Sequence, residues 1–232
     1  MLISKRQIVI GATAATLFPS ATVFGQERRD FFGQSVGIKG TLPTDPKDTA
    51  LVPEVLALIP KGDYMATMLA LARLDKNPKA PSNSVGEPWN RRWAKHANPL
   101  LVRIWHDMGY IITNDCTAWC AVTLSWCLER GGITPPKHRE SSQAFLKFGT
   151  PVTTPQRGDI CVFTNYGDAD HGHVTIFEAM TAGHKSLQVV GANQDISSSV
   201  TNCPGNLGTN AIDERPMALK TSGHFLNRYV RP

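Results

Sequence analysis

Apolar positions change their period once along this chain, near residue 150, and that change sorts the expected elements. Residues 26–63 are polar and punctuated by Pro43, Pro46, Pro53 and Pro60, which predicts an extended lead-in with one helical turn near residues 55–58. Residues 64–74 (YMATMLALARL) are dense in helix formers and predict a helix; the proline-rich stretch 76–89 predicts a loop. Residues 99–108 read as an amphipathic helix opened by Asn98-Pro99 and closed by Gly109. In residues 120–130 (CAVTLSWCLER) the apolar positions fall on several faces before Gly131-Gly132, as in a buried central helix. A short helix is expected at 141–148. Beyond it, strands are expected at 159–164, 174–179, 187–191, more weakly 198–201, and 224–230. Helices first and strands after predict an α+β fold with an antiparallel sheet.

Composition narrows the class. With 232 residues, 41% hydrophobic and 19% charged, the chain has the make-up of one globular domain and excludes a disordered or collagen-like protein. The net charge of +5 is spread along the chain, so nucleic acid is not the natural partner, whereas a polyanion such as cell-wall material tolerates it. Residues 1–25 carry Lys5 and Arg6, then the apolar run 8–18, then small residues up to Gly25, the pattern of a secretory signal peptide. The run is shorter than the ~20 residues that span a bilayer, and Gly11 and Pro19 weaken a helix there. No later window reaches membrane-spanning length. The mature chain is therefore expected without a membrane span, exported to the periplasm or secreted, where disulfides can form.

The chemistry concentrates in DCTAWCAVTLSWCLERGGI, residues 115–133. Cys120 stands where a polar loop gives way to the apolar helix, and free N–H groups at a helix start favour the nucleophilic thiolate. A small buried residue or half of a disulfide is the competing reading of the same cysteine. In HGHVTIFE, residues 171–178, His173 opens a strand after Gly172, with Thr175 and Phe177 on its face. That is a suitable general base toward a thiol, with His171 as the spare candidate. A third group must orient the imidazole. Glu178 faces the other side, while Asn193 in VVGANQ ends the next strand and can pair beside His173.

WCAVTLSWCLERGGI, PQRGDICVF, GHVTIFE and VVGANQ, taken in that order over roughly residues 98–202, resemble the NlpC/CHAP clan of cysteine peptidases, close to its CHAP branch. The resemblance implies a papain-like α+β core, a central helix with the cysteine at its N-terminus packed on an antiparallel sheet. It divides the chain into a leader 1–25, an extension 26–97 containing a helix, and a cysteine hydrolase domain 98–232. It implies hydrolysis of peptidoglycan amides by an N-acetylmuramoyl-L-alanine amidase or a stem or bridge endopeptidase, acting on a peptide or glycan-peptide substrate without a cofactor. Cys120, His173 and Asn193 take the family's catalytic positions. In the family the nucleophile precedes the helix-ending glycine by about three turns, which fits Cys120 with Gly132 and puts Cys116 one turn too early.

Attack by the thiolate, proton transfer by His173 and release by water follow from that arrangement. The Cys120 N–H is one oxyanion donor, and Gln194 and Thr117 are candidates for the second. Cys127 and Cys161 read as buried thiols, whereas Cys116 and Cys203 lie in loops of an exported chain and are candidates for one disulfide. Two other readings compete. His171, His173 and Asp168 or Asp170 cluster closely enough to suggest a metal-dependent hydrolase, although no pair of cysteines has zinc-type spacing. A non-catalytic wall-binding protein on the same fold predicts the loss of Cys120 or His173, and both are present.

Overall fold

The computed structural model describes residues 43–195 and 210–232. The leader, most of the lead-in, the strand expected at 198–201 and Cys203 lie outside them.

Among the described residues, four α-helices precede the sheet. The first, α1 (Pro46–Ala57), corrects the sequence reading, which expected only a turn here. Asp45 caps it through the Lys47 N–H at 2.7 Å and Pro46 occupies the first position, where a missing N–H costs nothing. Of the prolines that argued for an extended segment, Pro46 starts the helix and Pro53 is tolerated within it. Helix α2 (Tyr64–Ala72) is capped by Asp63, whose carboxylate accepts from Met65 and Ala66, and runs into a 3-10 turn at Leu74–Lys76. Helix α3 (Pro99–Asp107) is capped by Asn98. Helix α4 (Cys120–Arg130) has the expected bounds and is buried from Cys120 to Leu128, as a central helix must be. A 3-10 helix at Ser142–Lys147 takes the place of the expected short helix.

Six strands follow among the described residues: β1 (Thr150–Val152), β2 (Ile160–Asn165), β3 (Asp168–Met180), β4 (Ser186–Asp195), β5 (Asn210–Ala218) and β6 (His224–Arg231). They form one antiparallel sheet in the order β1-β6-β2-β3-β4-β5. The sequence did not predict β1 and β5. Both are edge strands, and Pro151 and Pro216 sit where an edge tolerates a missing donor. An edge strand also lacks the two-sided burial that writes a clear period into a sequence.

The sheet has two buried faces. Ile160, Val162, Val174, Ile176, Val190 and Ile212 join the helices in the main core, which includes Cys120, Leu124 and Leu128 of α4. Val55, Met68 and Leu71 of α1 and α2 belong to that core, so the described part of the extension and the segment after residue 98 share one interior. On the opposite face Cys161, Phe163, Phe177, Leu187 and Val189 form a second cluster. Among the described residues, no helix is long and apolar enough to cross a membrane.

Candidate active site

Cys120 is the first residue of α4, and the N-cap before it, Trp119, offers no side-chain hydrogen bond. The opening N–H groups of the helix are therefore left for the thiol and for any ligand beside it. The sulfur lies within reach of three backbone N–H groups, those of Cys120, Ala121 and Val174. Val174 follows His173 on β3. The central helix thus delivers its thiol to the strand backbone one residue from the candidate base.

Electrostatics change the expected resting state. Burial pushes the Cys120 thiol up to about 11, against the downward pull of the three N–H groups. The helix start acts in the expected direction, but desolvation wins. Burial also pushes His173 down to about 4, helped by the nearby charges of His224 and Arg215. At neutral pH both groups are uncharged. The resting site holds thiol and imidazole rather than a preformed ion pair.

His173 lies opposite Phe163 on β2, and strand alternation puts it with Thr175 and Phe177 on the second-cluster side, as the sequence predicted. Val174 faces α4. The thiol therefore meets the strand backbone from one side, while the imidazole leaves it toward the other. His173 Nε2 is buried without a hydrogen-bond partner. Gly172 makes this placement possible, because a β-carbon there would crowd the carbonyl of Phe163.

Asn193 sits at the far end of β4 in the left-handed region, φ 59°, where the β4–β5 register shifts. The β3–β4 register, with Thr175 opposite Gly191, runs toward a His173–Asn193 pairing, but the ladder stops before it. The Asn193 side chain turns instead to β5, its Oδ1 accepting from Asn210 Nδ2 at 2.8 Å. The structure thus places Cys120 and His173 on neighbouring backbone and directs Asn193 away from the imidazole. Gln194, a candidate oxyanion donor, is already committed: its Nε2 donates to the Asp213 carbonyl at 2.8 Å and to the Asp213 carboxylate at 2.6 Å.

The loop before Cys120 is held by a buried polar network that the sequence reading missed. Arg92 is buried, and its Nε donates to the Asp115 carbonyl at 2.9 Å. A second Arg92 nitrogen reaches the Thr117 carbonyl at 3.4 Å. The Asp115 carboxylate accepts from the Asn98 N–H at 3.0 Å, and burial pushes its acid up to about 6. Asp115 is therefore a structural carboxyl. The signal available beforehand was an arginine pair inside the tryptophan-rich segment WNRRW, unusual for a surface stretch.

Cys116 is disulfide-bonded, while Cys120, Cys127 and Cys161 are free and buried. Cys203, the partner expected for Cys116, lies outside the described residues. Of the residues weighed for a metal, Asp168 pairs with His171 on the exposed start of β3. Among the described residues, three potential metal-binding groups converge instead at Asp45, Asp48 and His96, beside the start of α1.

The family model described as the CHAP domain matches residues 105–193, from the end of α3 through α4, β2 and β3 into β4. Residues 105–193 resemble a CHAP domain. The matched segment contains Cys120, His173 and Asn193, and the helices with a six-stranded antiparallel sheet are an α+β fold typical of such domains, consistent with the NlpC/CHAP clan. CHAP domains are generally peptidoglycan amidases or peptidases. Neither the curated proteins nor the solved structures contain a match to the chain.

Proposed function

We propose that this protein is an exported cysteine hydrolase that cleaves amide bonds of peptidoglycan, with Cys120 as nucleophile and His173 as general base. The carrying observation is that Cys120, a free thiol, opens α4 at an uncapped helix start inside the CHAP-matched segment, with the backbone N–H that follows His173 among the groups acting on it. Cys116 is occupied by its disulfide, which favours Cys120 as the attacking thiol.

The His173 imidazole rests on the face of β3 opposite the thiol and must swing to the α4 side. Because both groups rest neutral, the thiol proton then passes to it as the substrate carbonyl is engaged. The sulfur then bonds to the carbonyl carbon, and the oxyanion that forms is held by the N–H groups at the start of α4. His173 returns the proton to the leaving nitrogen, the C–N bond breaks, and water activated by the same imidazole hydrolyses the thioester. Asn193 completes the site by orienting His173 once its side chain turns from Asn210. Residues 1–25 act as the export signal, and the extension 26–97 supports the hydrolase domain 98–232.

Digestion of purified sacculi by the wild type and by Cys120→Ala tests this, with the fragments identified by mass spectrometry. Free stem peptides from the wild type alone indicate an amidase, and shortened or uncross-linked stems indicate an endopeptidase. Equal release by both proteins overturns the role of Cys120.

A further inference from the structure

A cleft of about 800 Å³ opens between the end of α2 with its 3-10 turn and the outer edge of β5. Its location follows from how the sheet edge is covered. The segment 90–92 pairs with β5 like a short extra strand: Ile212 N donates to Asn90 O at 2.7 Å, and Arg92 N donates to Asn210 O at 2.9 Å. The cover then stops. The Asn90 side chain caps the last covered position, its Nδ2 donating to the Ile212 and Ala72 carbonyls. In an antiparallel ladder alternate residues point their N–H and C=O groups outward, so Glu214 continues the outward set of Asn210 and Ile212 beyond the cover. One backbone donor–acceptor pair is therefore presented at the cleft.

The charges there are unevenly matched. Arg73 pairs with Glu214, and Asp213 pairs with Arg215. Arg91 lines the cleft half-buried and, among the described residues, has no ion-pair partner; its Nε is buried without a hydrogen bond. Asp75 and Lys76 stand exposed on the neighbouring turn. A half-buried guanidinium without a counter-charge calls for an anion, and a planar carboxylate fits its fork.

We propose that this cleft binds the peptide part of peptidoglycan, with Arg91 taking a carboxylate, Glu214 backbone groups gripping one amide, and Asp75 meeting a ligand amine. A zwitterionic peptide matches the mixed lining, and a neutral glycan does not. The assignment of the ligand rests on the peptidoglycan reading above, and the cleft is a binding element separate from the thiol at the start of α4.

Cosedimentation with purified sacculi tests it, using full-length Cys120→Ala and the same protein carrying Arg91→Glu, so that hydrolysis does not intervene. Titration of both proteins with a synthetic stem peptide, and with that peptide amidated at its carboxylates, supplies the second measurement. The expected result is at least tenfold weaker binding for Arg91→Glu, and for the amidated peptide, with an unchanged melting temperature. Arg91→Gln, which keeps the size and removes the charge, is expected to show an intermediate loss and guards against a folding defect. Equal binding with and without Arg91 overturns the cleft while leaving the hydrolase standing. Arg91-dependent binding without hydrolysis by the wild type supports the cleft and overturns the hydrolase. Absence of both binding and hydrolysis overturns both.

Discussion

A β-carbon built on Gly172 would lie 1.9 Å from the carbonyl oxygen of Phe163 and 2.5 Å from the Gln143 side-chain nitrogen. The strand pairing that carries His173 thus requires glycine next to it. Gly172→Ala is expected to push β3 off β2 at this point, costing about 3 kcal/mol, the upper range for overpacking against unyielding atoms. It should lower hydrolysis in the fraction that stays folded. Urea denaturation together with sacculus digestion checks both effects; unchanged stability would show that β3 and β2 are not this close.

Cys120 should react slowly with alkylating agents at neutral pH. With its thiol at about 11, roughly one sulfur in ten thousand is ionised at pH 7. Iodoacetamide labelling is expected to accelerate about tenfold per pH unit from pH 7 to 10, because the thiolate is the reacting form. Cys127 and Cys161, raised still further by burial, should lag behind it. Peptide mapping of labelled protein reads all three rates. Fast labelling of Cys120 at pH 6 would reveal a resting ion pair with His173.

His173 should destabilise the fold in acid. Its folded value of about 4 lies below the ordinary 6.5, so the unfolded chain takes up a proton that the native state refuses. The associated stability is present above pH 6.5 and is lost as pH falls toward 4, on the order of 3–4 kcal/mol in all. Asp115 acts oppositely: raised to about 6 from 3.8, its carboxyl favours the native state at low pH and loses that contribution as pH rises through 6. The informative quantity is therefore the difference between wild type and His173→Gln. That difference should change across pH 6.5–4 in denaturant titrations, and a constant difference would contradict the burial of the imidazole.

Removing the Cys116 disulfide should loosen the loop that leads into α4. A native disulfide typically contributes about 2–4 kcal/mol, so Cys116→Ser or a reducing agent is expected to lower the melting temperature. The N–H of Cys116 is also held by Asn114 Oδ1 at 3.0 Å, and the Arg92 clamp grips the carbonyls on either side of it. Some order should therefore survive, and Cys116→Ser should keep measurable hydrolysis. Complete loss of activity in folded Cys116→Ser would instead give that sulfur a direct role.

Arg92→Ala is expected to cost more than the disulfide, about 3–5 kcal/mol. Removing the buried guanidinium leaves the backbone carbonyls of Asp115 and Thr117 without their donor and the buried Asp115 carboxyl without its nearby positive charge. Thermal melting checks the magnitude. Substitution of exposed Lys95, in the same stretch of chain, should change stability by less than about 0.5 kcal/mol.

The sequence by itself determined α4 and the cysteine at its start, because a helix between a polar loop and Gly131-Gly132 is specified by local capping and composition. It likewise determined β2, the inner parts of β3 and β4, and β6, since paired strands with a buried or half-buried face write alternation or apolar runs into the chain. That His173 shares a face with Thr175 and Phe177 was legible for the same reason, but β3 begins at Asp168 and carries His173 in its interior rather than at its start. Tertiary structure alone decided the rest. Helix α1 was hidden by prolines whose harm depends on their position in the helix, and β1 and β5 by their places at the sheet edges. The protonation of Cys120 and His173 depended on what covers them, a sum over distant neighbours that no local pattern contains. So did the turn of Asn193 toward Asn210, the clamp of Arg92 on the loop at residues 115–117, and the cleft where residues 90–92 stop covering β5.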